Sequence, residues 1–104
     1  TPRNALHLAT RGGAEVLGRA HEIGQIKEGY CADIAMYRTD TIGMAGGAVH
    51  DPVGALLLCA SQNADYTLVN GRVVVREGQL TTVDLGPLIE RHNQLAMQLA
   101  LGAK

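Results

Sequence analysis

Four histidines, at positions 7, 21, 50 and 92, are the first residues to weigh, because imidazole serves both as general base and as metal ligand. No two are separated by a single residue and there is no HExxH pair, so neither short zinc-binding pattern can be drawn from them. His92 falls on the apolar side of a helical repeat, where packing or a satisfied hydrogen bond is the expected role. His7 sits in a short helical stretch and has the same expectation. His21 is expected to be exposed in a linker. His50 is followed directly by Asp51, the one pair that could act as a base oriented by a carboxylate, or as a metal ligand. Neighbours in a chain seldom point the same way, and Asp51 precedes Pro52 as a helix cap does, so the structural role is preferred. Asp33 and Asp40 could serve a hard cation, but both stand at expected strand ends, where aspartate accepts backbone N–H bonds. Gly43, Gly46 and Gly47 lack the spacing of a phosphate loop. Cys31 and Cys59 are not in CxxC spacing and are expected to be reduced, buried thiols. No Ser–His–Asp set can be argued from spacing. The residues by themselves nominate no catalytic residue, no cofactor-binding residue and no metal ligand.

The elements that would have to position any such chemistry are built from a limited set of side chains. Of 104 residues, 46% are apolar, which excludes wholesale disorder. Phe and Trp are absent, Tyr occurs three times and Gly 13 times, so the core must be assembled from small and aliphatic groups. Aromatic side chains bring the largest buried areas, and a domain without them has a thin core of its own. The expectation is a core shared with something else. A net charge of −1, with no basic patch, argues against nucleic acid and anionic membrane as partners. No apolar run reaches the roughly 18 residues of a membrane span, and the first residues lack a signal-peptide pattern, which leads to a cytoplasmic expectation.

Thr1 and Pro2 form a cap and first position for a helix over Ala5, Leu6, Leu8 and Ala9, with Gly12 and Gly13 expected to stop it. A second helix, Ala14 to Leu17, is closed by Gly18. The opening directly on a cap suggests a cut within a longer chain. Strands are expected at Ile23–Ile26 and at Ala32–Tyr37, the latter with Ala32, Ile34 and Met36 on one face. Residues 38–51 read as a glycine-rich loop, and Pro52 begins a helix ending near Ala60. Asn70-Gly71 between two apolar runs predicts a type I′ hairpin pairing Val69 with Arg72, Leu68 with Val73 and Tyr66 with Val75. Glu77-Gly78 turns the chain again before Gln79-Leu80. Residues 85–101 form an amphipathic helix capped by Asp84, with Leu85, Leu88, Ile89, Leu95, Ala96 and Leu99 in one stripe. Four short strands with several helices and no strict alternation indicate an α+β piece.

The order of four segments resembles the amidohydrolase superfamily, in the branch of cytosine, guanine and 8-oxoguanine deaminases and triazine hydrolases. Ala5-Leu6-His7-Leu8-Ala9-Thr10-Arg11-Gly12-Gly13-Ala14 with Leu17-Gly18 is similar to the helix pair after the last barrel strand. Ile23-Gly24-Gln25-Ile26-Lys27-Glu28-Gly29-Tyr30-Cys31-Ala32-Asp33-Ile34 resembles the family's entry into its small β domain. Val69-Asn70-Gly71-Arg72-Val73-Val74 resembles its hairpin, and His50-Asp51-Pro52 before an apolar segment occurs in several members.

The resemblance implies a (β/α)8-barrel metal-dependent hydrolase, of which this chain is the carboxy-terminal part: residues 1–22 as terminal helices of the barrel domain, 23–83 as part of a composite small β-sandwich domain, and 84–104 as a carboxy-terminal amphipathic helix. It implies a divalent metal, zinc or iron, in the intact enzyme, held by residues upstream. None of the four histidines here matches a ligand position, so no metal is expected on this chain and it is expected to be inactive alone. The implied partner is the missing amino-terminal and barrel segment of the same protein, together with homo-oligomerisation. Other expectations are a non-catalytic association module, and a triazine-hydrolase or hydantoinase type of amidohydrolase.

Overall fold

The computed structural model describes residues 1–59 and 63–102. Thr1 Oγ1 accepts the Asn4 N–H at 3.2 Å and Pro2 takes the first helical position, so α1 (Pro2–His7) begins as expected. It does not stop at Gly12-Gly13. The chain passes through a π-helical turn, Leu8–Gly12, directly into α2 (Gly13–Val16), with the two glycines at φ −60° and −59°. Glycine permits the left-handed conformation but does not impose it. The stop comes at Gly18, φ +68°, where Arg19 N–H bonds the Ala14 carbonyl and Gly18 N–H that of Glu15, the double closure of a Schellman turn.

The expected strand at Ile23–Ile26 is not formed. Gly24 is left-handed, φ +89°, and lies so close to the helix that a Cβ there would stand 2.8 Å from Ala14 Cβ and 2.9 Å from the Thr10 carbonyl oxygen. A left-handed residue wedged against a helix interrupts any extended run, and Ile26 is left 86% exposed.

The sheet has four antiparallel strands in the order β1 (Ile34–Met36), β2 (Tyr66–Val69), β3 (Arg72–Arg76) and β4 (Gln79–Leu80). β1 is shorter than the expected run over residues 32–37. Both Asn70 and Gly71 have positive φ, 49° and 79°, as a type I′ turn requires. Val69 pairs with Arg72 and Leu68 with Val73 as expected, but Val75 then faces Thr67, not Tyr66. One extra residue on β3 makes a bulge, which period-two counting cannot foresee. A second two-residue turn, Glu77-Gly78, joins Arg76 to Gln79.

Two carboxylates hold the β1–β2 pair at its ends. Asp33 Oδ1 accepts the Asn70 N–H at 2.8 Å, and Asp65 Oδ2 accepts the Arg38 N–H at 2.7 Å. Between these strands the chain forms α3 (Gly47–His50), which the loop expectation missed, and α4 (Pro52–Leu58), which it anticipated. The expected end of α4 at Ala60 lies outside the described residues. α4 packs on α1 and α3. Asp84 Oδ1 accepts the Gly86 N–H at 3.2 Å to open α5 (Leu85–Ala100).

The thin core is evident. Among the described residues the buried apolar side chains are Ala14, Met44 and Ala55. Every described residue from Arg76 to Gly102 is exposed, α5 included. The radius of gyration is 17.8 Å, against about 13 Å for a compact domain of this length.

Candidate functional site

The histidines do not converge. His7 is exposed on α1, His21 in the turn after α2, His50 at the end of α3 and His92 on α5. The packing expected for His7 and His92 is therefore not made within this chain. Asp51 does occupy the cap position of α4, with extended backbone at φ −147°, but its side chain makes no capping bond. Its carboxylate instead lies over Gly54, where an added Cβ would meet Oδ2 at 2.6 Å. His50 and Asp51 are both exposed.

Asp33 has the structural role expected of it, as the clasp on Asn70. Asp40 is held chiefly by a side chain: its carboxylate receives two hydrogen bonds from the Arg38 guanidinium, at 2.8 and 2.7 Å. The hydrogen bond from Arg38, and then its charge, holds the Asp40 carboxyl below the usual range, and the same contact raises the guanidinium. Arg19 is raised likewise by its hydrogen bond and ion pair with Glu22. Cys31 is half-buried and Cys59 exposed, which corrects the expectation of two buried thiols.

Two surface recesses flank the segment after β1. One, of about 450 Å³, is lined by Met36, Tyr37, Arg38, Asp65, Tyr66 and Glu77. The other, about 270 Å³, is lined by Tyr37, Thr39, Met44, Pro52, Val53 and Leu56, and its walls are almost wholly apolar. Neither holds a nucleophile beside a base. Among the described residues no three His, Cys, Asp or Glu side chains come together as metal ligands.

Open apolar surface is what the chain has in quantity. Ile42 is 95% exposed, Val16 88%, Val49 83% and Leu99 81%. The accessible surface is 8036 Å², roughly 2,400 Å² more than a folded monomer of this mass presents. That excess is of the size removed by an obligate interface. Chemically, what the described residues offer is open apolar area with few buried side chains beneath it. Composition indicated such a deficit, but Asp65 as the second clasp of β1 was not recognised. Its only signal was a carboxylate directly before an apolar run.

Residues 1–75 match the sequence profile of the amidohydrolase family. This chain belongs to the amidohydrolase family. Among amidohydrolase relatives, it is 43% identical to the 8-oxoguanine deaminase of Pseudomonas aeruginosa over 102 residues, which are 98% of this chain and 22% of that enzyme. It is similar to the crystal structure of atrazine chlorohydrolase from Arthrobacter aurescens TC1 complexed with zinc, with a TM-score of 0.80 and 38% identity over 91% of this chain and 20% of that one. The fold also matches an adenosine deaminase from Xanthomonas campestris with bound zinc, with a TM-score of 0.88 and 22% identity over 97% of this chain and 23% of that one. The chain thus spans 22% of the length of that curated amidohydrolase relative. No helix among the described residues is long and apolar enough to cross a membrane.

Proposed function

We propose that these 104 residues are the carboxy-terminal part of an amidohydrolase that hydrolyses a C–N bond of a nucleobase-like heterocycle, of the 8-oxoguanine, guanine or cytosine type. In that reaction water adds to an amidine-like ring carbon, ammonia leaves and a carbonyl remains. The divalent metal, zinc or iron, is held by residues outside this chain. Residues 1–22 serve as terminal helices of a (β/α)8 barrel, 23–83 as part of a composite β-sandwich domain and 84–104 as a helix docked on the rest of the protein. The partner is the preceding segment of the same protein, and the whole protein is a cytoplasmic homo-oligomer.

The observation that carries this reading is the surface excess. A chain with three described buried apolar side chains and an α5 exposed along its length has its natural core elsewhere. The 43% identity to an 8-oxoguanine deaminase over nearly the whole chain supports seeking that core in the rest of a deaminase-type amidohydrolase. The likeness to atrazine chlorohydrolase supports a second reading, hydrolysis of a substituted triazine.

The test is to purify the protein encoded by the full reading frame with its metal and to measure ammonia release from 8-oxoguanine, guanine and cytosine. Release from one of them by the long protein, and none by residues 1–104, is the expected result. Leaving-group release from triazines alone moves the assignment to the second reading. A reading frame consisting of these residues only, forming a well-behaved monomer, overturns the proposal and leaves a non-catalytic association module.

A further inference from the structure

We draw no further inference here: the strongest candidate, the apolar stripe Leu85, Leu88, Ile89, Leu95 and Leu99 along the carboxy-terminal helix, is an unpartnered face and nothing in the structure shows what covers it beyond the docking already proposed.

Discussion

At the scale of single residues, the side chains that matter are those that hold backbone in place. Asp33 accepts the N–H of Asn70 across 37 residues of sequence, fixing the hairpin tip against the start of β1. Asp33→Ala removes a charge-assisted bond and is expected to cost about 1.5 kcal/mol, measured by urea unfolding of the long protein. Glu77 is the opposite case, a non-glycine residue at φ +49° in a two-residue turn. Left-handed backbone costs an ordinary L-residue roughly 1 kcal/mol, and asparagine tolerates it better. Glu77→Asn is therefore expected to raise the urea midpoint by an amount corresponding to about 0.5–1 kcal/mol. Asp40 offers a pH test. Its folded pKa lies below the unfolded value, so the Arg38 contact contributes above the ordinary carboxylate range and is lost as pH falls through the lowered folded value. Both groups are exposed, so the readout is the carboxyl titration by NMR and not global stability. Arg38→Gln is expected to move that titration back up to the ordinary aspartate range; an unchanged midpoint would show that Arg38 is not the cause.

At the scale of elements, local rules and close approach compete. The caps at Thr1 and Asp84 and the Asn70-Gly71 turn follow from side-chain and backbone chemistry within a few residues. The loss of a strand at Ile23–Ile26 goes with a close approach instead. The helix runs on past its glycines, and Gly24 comes up against it at Ala14 and Thr10. Gly24→Ala places a methyl group into backbone at a left-handed position, and a loss of about 2 kcal/mol or more is expected. A thermal melt of the long protein measures it; a variant as stable as the parent means the helix and turn separate easily. α5 is a different kind of element. Its stripe spans the wide apolar face of a helix that packs on a globular surface, yet every described residue of it is exposed here. Leu95→Lys should leave the helicity of the isolated chain unchanged by circular dichroism. In the long protein the same change is expected to cost about 2 kcal/mol or more through the lost burial.

At the scale of the whole molecule, the balance of surface to core decides behaviour. A chain with an excess of roughly 2,400 Å² of accessible surface and exposed Ile42, Val49 and Val16 is expected to associate when isolated. β1 and β4 end the sheet with open edges among the described residues, which invites pairing with another chain. Light scattering on residues 1–104 should report a mass above that of one chain, or aggregation, with strong binding of a hydrophobic dye. A monodisperse monomer that binds no dye contradicts the shared-core account.

Sequence by itself determined what is local or compositional. The α+β content, the hairpin turn, the helix caps at Thr1 and Asp84 and the poverty of the core all depend on residue types and spacings of a few positions. The likeness to amidohydrolases was legible for the same reason, since glycines and turn residues must recur wherever the same bends recur. Tertiary structure alone decided the bulge opposite Thr67, the uninterrupted helix through Gly12-Gly13 and the exposure of Cys59 and His92. Each depends on which distant segment lies alongside, or on none doing so, and that is settled by packing between elements and not by the pattern within one.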